Sequence, residues 1–285
     1  IKCNVYPTDA SETRTVAFVH PDLGIGGAER LVVDAAVGLQ TLGHKIVVYT
    51  SHHDPTHCFE ETRNGLLKIK VFGDFFPRSI MGRFHILFAT MRGVYLALAI
   101  VLTQQRYDVL FVDQLSSPIP ILRLCGSRII FYCHFPDLAL SGRRDGLKRV
   151  YRVLFDAVEE WTTLMAHDIL VNSHFTAGVF KSTFRNARGV SPQVLHPCIN
   201  TAAYDTAPLV EQETELSRTV RGHVTLVSIN RFERKKNIAL ALHAFGLLKD
   251  KMAQLHQGGG KGGCAGPAFG DVRLVIAGGY DGRVR

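Results

Sequence analysis

The 285-residue chain has six cysteines, at positions 3, 58, 125, 133, 198 and 264, and no two of them form a CxxC pair. Spacing this wide speaks against a disulfide framework and reads as reduced thiols in a cytosol-like compartment. A long basic tract is also missing, and no aromatic platform is interleaved with cations. Yet Lys and Arg outnumber Asp and Glu by 33 to 25, a net charge of +8. That excess suits anionic partners. Its dispersal, with local knots at 143–144 and 231–236, favours small phosphorylated ligands over nucleic acid. Nor does a signal peptide open the chain: residues 1–14 are polar and mixed, and read as a disordered start. Charged residues make up 20% and hydrophobic ones 46%, a balance that supports a buried core and argues against wholesale disorder. The length suits about two domains.

Residues 15–20, TVAFVH, form a short apolar run that ends in the turn Pro21-Asp22-Leu23-Gly24, as a buried strand does before a loop. From Ala28 to Leu42 apolar residues recur at helical spacing (Leu31, Val32, Ala35, Ala36, Leu39), and Gly43 ends the helix. KIVVYT at 45–50 supplies a second strand. Strand, helix and strand in that order build a parallel sheet. The rhythm predicts further strands at 66–73, 107–113, 127–134, 167–173 and 192–198, and a long helix at 147–166. Strands that end in polar turns and alternate with helices predict a doubly wound domain with its ligands at the strands' carboxyl ends. The polar, irregular stretch near 200–221 reads as an interdomain linker. Beyond it, strands at 223–230 and 271–279 flank a helix at 237–249, and the glycine-rich 257–266 reads as a flexible insert. The fold class is α/β: one Rossmann-like domain at 15–205, a linker at 206–222, and an incomplete second Rossmann-like domain at 223–285.

One segment is ambiguous. Residues 84–102, FHILFATMRGVYLALAIVL, are almost continuously apolar. A spanning helix wants about 20 apolar residues with few charges, and Arg92 sits near the middle of this run. A buried crossover helix and an in-plane contact with a membrane surface are the two stronger readings.

Four motifs carry candidate chemistry. Gly24-Ile25-Gly26-Gly27-Ala28-Glu29 joins the first strand to its helix. Glycines let a ligand approach the backbone, and free amides at a helix start attract anions. Glu29 stands where a nicotinamide fingerprint needs its third glycine, and no acid ends the second strand. A tight turn without a ligand is the plain alternative. Asn230-Arg231-Phe232-Glu233-Arg234-Lys235-Lys236-Asn237 joins a strand to a helix. Cations at a helix start oppose its dipole, so a bound diphosphate would explain them, with Arg231 as forked donor and Lys236 as point charge. His134 lies at a strand end, where catalytic groups project in this architecture, although a lone histidine is more often structural. Ser173 begins a helix and either caps it or contacts ligand. The histidine-rich 52–58 invites a metal reading, but Pro55 breaks the helix that would align His53 with His57.

At these residues the chain resembles glycosyltransferase family 4, retaining enzymes of the GT-B type with two Rossmann-like domains. The pieces are GGAE at 26–29, and Arg231 followed by Lys236 after the first strand of the second domain. The blocks HPDLGIGGAERLVVDAA (20–36), DPTHCFEET (54–62), FYCHFPDLAL (131–140), ILVNSHFTAGVF (169–180), SINRFERKKNIALAL (228–242) and LVIAGGYDGRV (274–284) are similar, in order, to the mannosyltransferases of the dolichol-linked oligosaccharide pathway. The resemblance implies GDP-mannose as donor, dolichyl-diphosphate-linked mannosyl-chitobiose as acceptor, and no metal. It implies the cytosolic face of the endoplasmic reticulum membrane, with 84–102 as the membrane contact. It places the acceptor on the first domain and the donor on the second. By the same resemblance Arg231, Lys236, Gly26 and Gly27 bind donor, and His134 is the catalytic residue that contacts the transferred mannose. His20, Asp22, Glu29 and Ser173 fall on the acceptor side. Two departures stand out. Asn237 replaces a glycine common in the family, and the family's Glu-x7-Glu element would lie beyond Arg285. The 285-residue chain is therefore expected to be inactive alone. The competing reading is a non-catalytic module of the same fold that binds acceptor and membrane.

Overall fold

The computed structural model describes residues 12–80, 84–140, 147–187, 189–198, 224–258 and 272–279. The chain divides into two compact units, one ending at Ala202 and the other beginning at Ala203. The expected linker at 206–222, the stretch 1–11 and most of the glycine-rich insert lie outside the described residues.

The first unit is a seven-stranded parallel sheet. Its strands are β1 (Thr15–His20), β2 (Lys45–Thr50), β3 (Ile69–Val71), β4 (Val109–Asp113), β5 (Arg128–Cys133), β6 (Asp168–Val171) and β7 (Gln193–Val194). In space they run β3-β2-β1-β4-β5-β6-β7. The chain builds outward from β1 to β3, then returns to lay β4 on the other side of β1. Strand order therefore reverses between β1 and β4, and in such sheets ligands collect at that switch point. The strands at 66–73 and 192–198 are shorter than their apolar runs suggest, as befits the two edges.

Alternation along the strands sorts two apolar layers. Val16 and Phe18 of β1, with Val48 and Phe111, pack under helix α1 (Gly27–Thr41) through Leu31, Val32 and Ala36. Ala17, Val19, Leu110 and Val112 face the opposite layer, which takes Leu96 and Ile100 of α3 (His85–Leu102) and Phe180 of a later helix (His174–Thr183). Period two along the strand places successive side chains on opposite faces. Short helices α2 (Glu60–Arg63), α4 (Ile119–Leu122) and α5 (Asp137–Leu140) are single turns that the apolar spacing does not reveal. Helices α6 (Leu147–Thr163) and α7 (His174–Thr183) complete the unit.

Helix α3 is the crossover from β3 to β4. Six of its 18 residues are buried: Phe88, Arg92, Gly93, Leu96, Ala97 and Ile100. A helix packed in this way against its sheet is not surrounded by lipid, so the spanning reading fails. Its other face is the unusual one. Leu87, Met91, Tyr95, Leu98 and Leu102 are exposed at intervals of three and four residues, with Phe84 just ahead of them. Arg92 turns inward, where its Nη2 donates to the Ser51 carbonyl at 3.2 Å.

The second unit pairs β8 (Val224–Ile229) with β9 (Val272–Ala277) in parallel, from Val224↔Val272 to Ile229↔Ala277. Helix α8 (Ile238–Gly258) runs longer than its apolar spacing predicts and takes up Gln257 and Gly258, the start of the expected insert. Among the described residues of this unit Val272 is the buried apolar side chain. A two-stranded sheet with one helix offers little else to cover.

Candidate functional site

The switch point of the first unit holds a row of charged groups. His20 ends β1, Asp113 ends β4, and His134 follows β5. Asp113 lies between the two histidines: its Oδ2 is 2.7 Å from His20 Nδ1, within hydrogen-bond reach, and its Oδ1 is 2.8 Å from His134 Nε2. The second contact is close but does not meet hydrogen-bond geometry, and both its atoms are buried. Glu29, in the first turn of α1, brings its Oε1 to 4.0 Å from His20 Nε2. His20 and Asp113 are wholly buried, while His134 keeps 24% of its side chain exposed.

Burial disfavours charge on His20, Asp113 and Glu29, yet the partners prevail. Desolvation would lower the His20 imidazole's pKa, but Asp113 and Glu29 outweigh it and raise it to about 9. Burial would likewise raise the two acids. His134 and His20 hold Asp113 below the usual carboxylate range, and His20 does the same for Glu29. The row is thus ionic at neutral pH, with an imidazolium between two carboxylates.

Gly26 makes the row possible. It is the N-cap of α1, and a Cβ there would collide with the Glu29 carboxylate. Glu29 sits three residues into the helix, the place from which an acid folds back onto the helix start. At Gly27 a Cβ would meet nothing within 4 Å, so that position is open.

Neighbouring residues fix His134. The Tyr132 ring meets it edge-on at 4.9 Å between centroids, and the Tyr132 hydroxyl donates to the Leu195 carbonyl at 2.8 Å. Asn172 Nδ2 donates to the His134 carbonyl at 3.0 Å. Ser173 is the N-cap of α7, its Oγ accepting from the Thr176 amide at 3.2 Å. Its hydroxyl therefore already has a structural task. Asp22 pairs with Arg78 at 2.9 Å rather than joining the row. A small cleft that begins at Gln114, the residue after Asp113, mixes polar lining (Ser116, Ser117, Asp137, Glu159, Thr162) with apolar lining (Ile86, Leu115, Phe155, Val158).

The histidine-rich loop is split among separate partners. His52 Nδ1 meets Asp74 at 2.6 Å, and His53 Nε2 meets the Thr62 hydroxyl at 3.2 Å. Among the described residues no three His, Cys, Asp or Glu converge as metal ligands. Four cysteines there, 58, 125, 133 and 198, are free thiols.

In the second unit the loop after β8 carries the other candidates. Arg231 Nη1 lies 3.8 Å from Glu233 Oε1 and is largely exposed. A turn of 3-10 helix at Arg234–Lys236 brings the exposed Lys236 to the start of α8. Asn237 then takes the left-handed conformation, φ 44° and ψ 54°. Asparagine is one of the few residues other than glycine that tolerates this region. That accounts for an asparagine where the resemblance leads one to expect glycine.

Asp113 and Asn172 are the site residues that the sequence reading missed. Asp113 left one signal: an acid closing the apolar strand VLFVD.

Comparison with known proteins places these features. The family model of glycosyltransferase family 4 matches residues 25–203. The alpha-1,3/1,6-mannosyltransferase ALG2 of Rhizomucor pusillus is 50% identical over 277 residues, 96% of this chain and 58% of that protein. That of Saccharomyces cerevisiae is 44% identical over 278 residues, 96% of this chain and 51% of that protein. The chain thus spans little more than half the length of these relatives. Among solved structures, an alpha,alpha-trehalose-phosphate synthase from Burkholderia vietnamiensis aligns with a TM-score of 0.62 at 14% identity, over 95% of this chain and 64% of that one. A sucrose-phosphate synthase from Thermosynechococcus elongatus gives 0.55 at 13% identity, over 95% and 64%. At such identities the likeness speaks for fold alone, and the fold is the two-domain α/β type of the GT-B glycosyltransferases.

Proposed function

The chain belongs to glycosyltransferase family 4, and from that premise we propose that its protein moves mannose from GDP-mannose to dolichyl-diphosphate-linked mannosyl-chitobiose with retention of configuration. The observation that carries this reading is similarity along 96% of the chain to alpha-1,3/1,6-mannosyltransferases. The site chemistry supports it. On the second unit Arg231 and Lys236 would neutralise the leaving diphosphate without a metal.

Retention fits a same-face route. The acceptor hydroxyl attacks the anomeric carbon, the bond to the GDP oxygen breaks, and the leaving phosphate takes the hydroxyl proton. Asp113 is the carboxylate at the centre of the row, and histidines engage both its oxygens. It is buried and committed, a poor nucleophile. His134, partly exposed beside it, would contact the transferred mannose. The exposed apolar face of α3 would rest in the headgroup region of the endoplasmic reticulum membrane, on its cytosolic side, within reach of a lipid-borne acceptor.

The test uses the protein carried through the full length of its relatives. It is incubated with GDP-mannose and mannosyl-chitobiose-diphosphate lipid, with and without a chelator, beside an Arg231→Ala/Lys236→Ala variant. One or two mannoses added by the first, chelator or not, and none by the variant is the expected result. Lipid binding without transfer would instead favour the non-catalytic module.

A further inference from the structure

Glu29, His20, Asp113 and His134 form a continuous row of titratable groups from helix α1 to the end of β5. Strands β1 and β4 already pair from Val16↔Val109 to Val19↔Val112, and β4 and β5 from Val109↔Arg128 to Asp113↔Tyr132. Buried ion pairs are poor stabilisers compared with apolar residues of the same volume, because desolvation consumes most of the attraction. A row kept at such cost, ending on a partly exposed histidine, points to a task at that histidine.

We propose that Asp113 is the positioning residue for His134, fixing its tautomer, and that His20 and Glu29 hold Asp113 to this role. What His134 does with its ring rests on the mannosyl-transfer reading; the Asp113 contact does not. Nε2 is the buried nitrogen of His134, so the exposed quarter of the side chain lies elsewhere. With the hydrogen on Nε2, the nitrogen that faces Asp113 Oδ1 at 2.8 Å, the neutral ring keeps its lone pair on Nδ1, across the ring from Asp113. There it accepts a hydrogen bond from a sugar hydroxyl. The other tautomer would turn two electron-rich groups, Nε2 and the carboxylate, against each other at 2.8 Å. His20 supplies the counter-charge: as an imidazolium it neutralises Asp113, and Glu29 in turn favours that imidazolium. Among the described residues Tyr132 and Cys133 also feel the Asp113 charge, and the Tyr132 ring limits how far His134 can swing. Alignment by a carboxylate behind a histidine is a general way to select a tautomer.

Two measurements test this. Nitrogen-15 spectra of the histidine-labelled 285-residue chain report each ring's tautomer. The expected result is His134 as the Nε2–H form and His20 doubly protonated at neutral pH. In Asp113→Asn, His134 loses its single tautomer. In the full-length enzyme the same substitution lowers kcat about tenfold to a hundredfold, with KM for GDP-mannose little changed and the pH–rate profile shifted. His134 found as the Nδ1–H form overturns the proposal, and so does Asp113→Asn with tautomer and kcat unaltered. A purely structural aspartate would lower thermal stability and leave the tautomer alone. Should Asp113→Asn not fold, the wild-type tautomer decides by itself. Should the full-length enzyme transfer no mannose, the functional reading fails while the spectra still judge the positioning.

Discussion

Asp113 and His20 share a hydrogen bond of 2.7 Å inside the sheet, with neither side chain exposed to water. Each makes the other's charge tolerable.

A pH dependence of stability follows. The His20 pKa rises from about 6.5 unfolded to about 9 folded. Between those values the folded state binds more protons than the unfolded one, so stability falls as pH rises. The contribution is complete below about pH 6.5 and lost by about pH 9, and the shift corresponds to about 3 kcal/mol. Asp113 and Glu29, held low, act in the opposite sense and lose their contribution as acid protonates them. Urea unfolding at about pH 6 and about pH 9.5 should show the alkaline loss, and His20→Gln should flatten it. An equal slope in wild type and variant would show that His20 is not the titrating group.

Helix α3 offers a second prediction because its two faces do different things. Leu96 is 1% exposed within the core, so Leu96→Ala should cost about 3 kcal/mol. Leu98, two residues on, is 44% exposed on the outer stripe. Leu98→Glu should alter stability by about 0.5 kcal/mol or less, yet reduce co-sedimentation with phosphatidylcholine vesicles. Met91→Glu should behave alike. Vesicle binding that survives both changes would remove α3 as the membrane contact.

The apolar periodicity made most of the strands legible, because a buried parallel strand announces itself as a short apolar run closed by polar residues. Strand order was not legible: nothing local in VLFVD says that it lies beside TVAFVH. The same distance hid the site. His20 and Asp113 are 93 positions apart, and only the return of β4 to β1 unites them. Residues 84–102 stayed ambiguous for another reason. Both faces of α3 are apolar, so composition alone could not separate the buried side from the exposed one. Ser173 was legible as a cap because capping is local, a contact between neighbours three apart.

Asn237 carries a third prediction. Its φ of 44° lies in the left-handed region, which costs residues with a Cβ about 1–2 kcal/mol, with Asn and Gly relieved. Asn237→Gly should be neutral or slightly stabilising. Asn237→Val should be destabilising by about 1–2 kcal/mol and should weaken GDP binding by shifting Lys236 beside it. Thermal unfolding and GDP titration of the two variants decide this, and a valine variant equal to wild type in both would contradict the backbone argument.

Gly278 and Gly279 close β9 and form a matched pair. A Cβ on Gly278 would collide with the carbonyl oxygen of Asn230, the residue before Arg231, whereas at Gly279 it would meet nothing within 4 Å. The obstacle at Gly278 is backbone, which cannot swing away as a side-chain end can. Gly278→Ala must therefore displace the loop that carries Arg231, at a cost of about 1–3 kcal/mol. In the full-length enzyme it should raise KM for GDP-mannose and weaken GDP binding, while Gly279→Ala leaves both unchanged. If the two alanines behave alike, the Asn230 loop does not depend on the space at Gly278, and the tie between that glycine and the Arg231 cation is broken.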